Sequence, residues 1–251
     1  MSVVLFGSAA KGSFSAGVSD VDAIIVLADG ATPRERICLS DQISLLEVSY
    51  RLRAPAGRAR TTLESFAERA GGHALSSFVC SRIDLLSGDV MRVFSLRRVE
   101  ALLVDRIVFA SVIASAVTVW GEDLLPHVPV PPVRRLDVIK AFLAFANQTL
   151  LSLACFLALP DATRYAMGTL KRSLHSCFFC YQLRTASLEE EIAFFDRNRG
   201  QDRTLAELLA LRRQYRCSFS FVLRCLPTLA RLHWRAAWDN EFPLAPRLLP
   251  R

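Results

Sequence analysis

A glycine–serine pair and two aspartates carry the chemistry that can be read from this sequence. Gly7-Ser8 ends the apolar run Val3-Val4-Leu5-Phe6, and Asp20 and Asp22 head a second β-branched run that continues to Leu27. A glycine at the end of a strand permits a sharp turn and lets backbone approach a ligand closely. Ser8 can cap a short helix, Ala9-Ala10-Lys11, that Gly12 would end. Free N–H groups at such a helix start suit a phosphate, and Lys11 adds a positive charge close by. Side chains at i and i+2 of a strand share a face, roughly 6.5 Å apart along the chain. Asp20 and Asp22 can therefore share one hard cation or hold a pair of them. A phosphate cradle that faces metal-binding acids is the combination metal-assisted phosphoryl or nucleotidyl transfer requires. The plainer alternative is an Asp-x-Asp that solvates a loop-to-strand junction and a Gly-Ser that forms an ordinary turn.

The elements that must position these residues follow from periodicity and punctuation. Val3–Phe6 and Val21–Leu27 read as strands, and Thr32-Pro33 reads as an N-cap with proline at the first helical position. That helix should carry Ile37, Ile43 and Leu46 inward and run to about Tyr50. Residues 54–61 read as a loop, 63–70 as a short helix, and 75–80 and 82–86 as strand-like. A long helix is predicted from Leu96 to about Trp120. The Pro-dense stretch Pro126-His127-Val128-Pro129-Val130-Pro131-Pro132 cannot continue a helix and sets a boundary. Beyond it everything reads as helix, in segments 136–159, 161–184, 187–197, 203–225 and 227–238, with Thr204 and Glu207 as a capping box. The expected domains are therefore residues 1–125, a linker 126–135, and a helical part 136–251.

The segments Phe6-Gly7-Ser8-Ala9-Ala10-Lys11-Gly12 and Ser19-Asp20-Val21-Asp22 resemble the signature of the DNA polymerase β-type nucleotidyltransferase superfamily. They look closest to its minimal and aminoglycoside-modifying branches. Trp120-Gly121-Glu122-Asp123-Leu124 resembles a segment that recurs at the end of their catalytic domain. The resemblance implies an α+β fold, a small mixed-sheet nucleotidyltransferase domain followed by an all-helical domain. It further implies a nucleoside triphosphate such as ATP bound at Gly7, Ser8, Lys11 and Ser19, and Mg²⁺ held by Asp20 and Asp22. The family usually adds a third carboxylate on a later strand, as metal ligand or base, and Asp84 is the candidate here. The implied activity moves a nucleoside monophosphate (AMP from ATP) onto a hydroxyl of a small molecule or a partner protein. If Asp84 faces away, the alternative is a nucleotide-binding or regulatory module without turnover. The family also places a helix before the Gly-Ser strand, which here starts almost at Met1, so an exposed sheet face or edge is expected.

Composition bounds the remaining classes. With 52% hydrophobic and 22% charged residues in 251, the chain is neither disordered nor fibrous. Its formal net charge of +7 suits a nucleotide pocket as well as nucleic acid, and no aromatic-interleaved basic motif of the RNA-binding kind is present. Seven irregularly spaced cysteines and no secretory leader point to a reducing cytoplasm. The uncharged stretch Ala141–Pro160 is long enough to span a membrane, but Asn147, Gln148 and Thr149 at its middle argue for a buried helix. Cys177-Phe178-Phe179-Cys180 lacks a second CxxC and reads as one buried helical face rather than a zinc site. His73 could touch substrate, whereas His127 and His233 suggest surface or packing roles. Arg172, Lys171, Arg184, Arg212, Arg213, Arg216 and Arg224 read mainly as solvated faces, and Glu189-Glu190-Glu191 as the exposed start of a helix. The sequence leaves a homodimer open.

Overall fold

The computed structural model describes residues 1–10, 21–50, 77–94, 106–158 and 162–238. Lys11, Ser19, Asp20 and His73, the predicted loop 54–61 and the predicted helix 63–70 lie outside the described residues.

The N-terminal half is a four-stranded mixed sheet in the order β3-β2-β1-β4. Strand β1 (Ser2–Phe6) ends at the short helix α1 (Gly7–Ala10), and β2 (Asp22–Leu27) returns antiparallel beside it. Helix α2 (Pro33–Ser49) leads toward β3 (Ser77–Ser81), which pairs parallel to β2. The short helices α3 (Arg82–Leu86) and α4 (Val90–Val93) follow. Helix α5 (Arg106–Ser115) then precedes the edge strand β4 (Val117–Gly121), antiparallel to β1. Alternation along the strands sends Val4, Phe6, Ile24 and Val26 to one face, where they pack with Phe109 and Ile113 of α5. Helix α2 packs against β3.

The C-terminal half is helical: α6 (Arg135–Ala154), α7 (Ala162–Gln182), α8 (Leu188–Arg199), α9 (Arg203–Arg213) and α10 (Phe219–Trp238). Helices α6, α7 and α10 pack on one another around Leu170, Leu174, Phe178, Phe221 and Leu229, all essentially inaccessible to solvent. Ile107 and Ala110 of α5 join this cluster while Phe109 and Ile113 join the other, so α5 is shared by the two cores. One helix among the described residues, α6, is long and apolar enough to cross a membrane. Its Gln148 and Thr149 are buried in the bundle, and Gln148 Oε1 accepts hydrogen bonds from Thr169 and Arg172.

Several expectations are corrected. Residues 82–86 form a helix rather than a strand, because Ser81 and Asp84 make a capping box that starts a helical turn directly after β3. Of the predicted helix 96–120 the described part, from Arg106, is helical only to Ser115, after which β-branched Val117-Thr118-Val119 pairs with β1 instead. In α2, capped by Thr32 as expected, Ile37 and Leu46 face solvent and Glu47 is buried. The predicted helices 203–225 and 227–238 divide elsewhere: the break falls at 214–218, and α10 runs through Pro227. Asp202, not Thr204, caps α9, and Glu207 pairs with Arg224. Glu191 is buried against His175, 2.5 Å from its Nδ1, whereas Glu189 and Glu190 are exposed. His233 is buried, bonded to Ser173 and the Val138 carbonyl. Cys177 and Cys180 are buried on one face of α7, as expected.

Candidate active site

The two ends of the parallel pair β2–β3 decide which predicted residues can meet. Asp22, the first residue of β2, is the Cα partner of Phe6, the last residue of β1. The chain then turns at Gly7, whose φ of +68° lies in the left-handed region that favours glycine. Little space separates the turn from the acid. A Cβ built on Gly7 would stand 2.0 Å from Asp22 Oδ2. The predicted turn and one of the two predicted acids therefore converge, with the carboxylate lying against the turn.

The cause is local. Val4 and Ile24 lock the register of β1 and β2 by facing the same core, and that register brings Asp22 opposite Phe6. Asp22 projects to the face of Phe6 and Ile24. It is half-buried there. Helix α1 starts directly at Gly7 and packs near α5 and β2, which fixes the turn from behind. Ser8 is the second residue of α1.

Asp84 is not part of this constellation. Ser81 pairs with Leu27, at the far end of β2 from Asp22, so Asp84 lies about 16 Å along the strands from Asp22. No single Mg²⁺, with ligand oxygens at about 2.1 Å, reaches both. The Asp84 carboxylate has another task. Its Oδ2 accepts hydrogen bonds from the Ser81 hydroxyl at 2.6 Å, the Ser81 N–H at 3.2 Å and Arg36 at 2.9 Å. Burial pushes the Asp84 carboxyl up, but these donors, Ser81 first and then Arg36, outweigh it and hold the group below its ordinary value. Beside it, burial and then the Asp84 charge push the Cys80 thiol up to about 12. Arg82 clasps Glu122 with two bonds of 2.6 and 3.0 Å at the same end. These contacts tie α2, α3 and the end of β4 together.

Sequence reasoning also passed over Glu47, a carboxylate only 6% exposed in the last turn of α2. Its Oε1 accepts a 2.6 Å hydrogen bond from Ser77, the first residue of β3. Ser77 is the Cα partner of Ala23, so Glu47 lies at the Asp22 end of the sheet. However, Ala23 and Ser77 point to the opposite face from Asp22, which puts the sheet between the two acids. The signal that could have found Glu47 was the spacing of α2, where no apolar stripe of ordinary width exists.

The donor set at the Gly7 turn suits a hard cation, since a carboxylate offers oxygen ligands of the kind Mg²⁺ prefers. Among the described residues no group of three His, Cys, Asp or Glu side chains is gathered that could hold a metal by itself.

Residues 1–68 match a family model described as nucleotidyltransferase domain. No curated protein matches the chain by sequence. Among solved structures, the chain is similar to spectinomycin adenyltransferase AAD(9) from Enterococcus faecialis, determined with ATP and spectinomycin. The TM-score is 0.53 at 10% identity, over 94% of this chain and 91% of that one. The start of the chain thus matches a nucleotidyltransferase domain. The expected α+β fold is shared with that structure.

Proposed function

We propose that the chain transfers AMP from ATP to a hydroxyl group of a small molecule, with Gly7, Ser8 and Asp22 at the centre of the reaction. The observation that carries this reading is the approach of the Asp22 carboxylate to the Gly7 turn. A positive-φ glycine leaves no side chain between backbone and ligand, so a triphosphate can lie against Gly7-Ser8 while a carboxylate stands next to it. Asp20 and Asp22 would hold Mg²⁺, which when bound neutralises phosphate charge and orients the attacking and leaving oxygens. The acceptor oxygen bonds to the α-phosphorus as the α–β bridging P–O bond breaks, releasing pyrophosphate while the hydroxyl proton passes to solvent. Lys11 and Ser19 complete the triphosphate contacts in this reading.

The helical half would select the acceptor. Support for a small hydroxylated acceptor comes from the fold shared with an enzyme determined with ATP and spectinomycin; a partner protein is the other acceptor class. The reading takes the reaction to be cytoplasmic, supported by the irregular spacing of the seven cysteines.

The test uses α-labelled ATP, Mg²⁺ and a panel of aminoglycoside-like acceptors. Label transfer by the wild type, lost in Asp20→Ala and Asp22→Ala, supports the reading; equal transfer by all three overturns it. The engagement of Asp84 elsewhere favours one second reading, a nucleotide-binding module without turnover. That reading predicts saturable ATP binding with no pyrophosphate released under any acceptor.

A further inference from the structure

Helices α6 and α10 leave a broad apolar face open to solvent. On α6 the exposed apolar side chains are Leu136, Ile139, Leu143 and Leu150, Leu143 being 58% exposed. On α10 they are Phe219, Leu223, Trp234 and Trp238, Trp234 being 67% exposed. The two sets lean on one seam. At about 100° per residue, Ile139, Leu143 and Leu150 flank the α10-facing side of α6, marked by Phe142 and Phe145 beside His233. By the same rotation Leu223 and Trp234 flank the side of α10 from which His233 reaches the Val138 carbonyl. Both ends of the seam are pinned: Arg135 lies over the Trp238 ring at 5.7 Å, and Phe156 meets Phe219 at 5.1 Å.

We infer that this face is where a second copy of the chain docks, making the protein a symmetric dimer through α6 and α10. Area favours this occupant. The eight side chains leave on the order of 800 Å² open, what one partner of a standard interface buries and more than a typical monomer exposes in one patch. Spacing favours it as well. Leu136, Leu143 and Leu150 recur every seventh residue with Ile139 between them, a ridge that meshes with another helix. Charge is permissive, since two arginines bordering the face are paired within the chain, Arg231 with Asp202 and Arg224 with Glu207. The border therefore carries less free positive charge to repel a copy or to draw the face onto an anionic bilayer. An isologous contact needs a self-complementary patch, and an apolar centre meets that condition.

This inference is independent of the transferase reading, and its test does not use activity. Analytical ultracentrifugation of the full chain should show a dimer that dissociates in the micromolar range or below. Each of Leu143→Glu and Trp234→Glu should weaken it at least ~100-fold, because the change enters a symmetric interface twice. Their far-UV circular dichroism should match the wild type, since both positions are solvent-facing. Leu45→Glu, on the exposed face of α2, should leave the dimer unchanged. A monomeric wild type, a dimer indifferent to Leu143→Glu and Trp234→Glu, or a monomer that floats with phosphatidylserine vesicles would each overturn the inference.

Discussion

The two ends of the small sheet hold the same kinds of residue and do different work with them. At one end Asp22 stands against the Gly7 turn, the register partner of Phe6. At the other, Asp84 is spent on three donors, and Arg36, Arg82 and Glu122 knit helices to strand ends. Both acids are close to a serine and a strand terminus in the sequence. One stands against the bare backbone of a glycine turn, and the other caps a helix. Residue type therefore nominates a site, and register decides it.

The largest effect that can break this comparison is on activity at the Asp22 end. Asp22→Asn should lower nucleotidyl transfer by at least ~10²-fold while leaving the melting temperature within a few degrees of wild type, measured by pyrophosphate release. A variant that keeps its rate would remove the distinction between the ends. Next comes Gly7→Ala. A side chain there is strained at φ +68° and collides with Asp22 Oδ2, so both rate and stability should fall, stability by about 1–2 kcal/mol in urea titration.

At the opposite end the effect should be on stability alone. Asp84→Ala removes a capping partner and an Arg36 contact and should cost about 1 kcal/mol, with activity per folded molecule preserved. The pH dependence has a definite sign. The folded Asp84 carboxyl is held below its ordinary value of 3.8, so its contribution is present above that pH and is lost as pH falls through the folded value. Acid titration of wild type against Asp84→Asn should show the two curves converging there. The smallest change belongs to the Arg82–Glu122 pair, which is exposed on both sides. Glu122→Gln should shift stability by no more than ~0.5 kcal/mol, and less in high salt.

What could be read from the sequence follows the same division. The turn and the acid strand were legible because each is announced locally, by an apolar run, a glycine and a β-branched run in order. Asp84 was misplaced because Ser81-Arg82-Ile83-Asp84 was read for alternation when its serine–aspartate spacing is a helix cap. Strand β4 was absorbed into a predicted helix because apolar Ile107–Ile113 runs into Val117–Trp120 with no glycine or proline between them. Its strand identity depends on pairing with β1, a contact more than one hundred residues distant in sequence. Pro227 misled in the other direction. It sits on the exposed side of α10, where neighbouring core residues Val222, Cys225, Thr228 and Leu229 hold the helix across it. Glu47 and the buried Glu191 show the general limit, since each is a charged residue that only its tertiary partner, Ser77 or His175, makes compatible with burial.

The most direct measurement is electron density from crystals grown with Mg²⁺ and a non-hydrolysable ATP analogue. The triphosphate should lie along Gly7-Ser8 with a metal ion bridging it to Asp22, and the Arg36–Asp84 contact should be unchanged. Density for the nucleotide at the Asp84 end, or a triphosphate remote from Asp22, would contradict the assignment of the site.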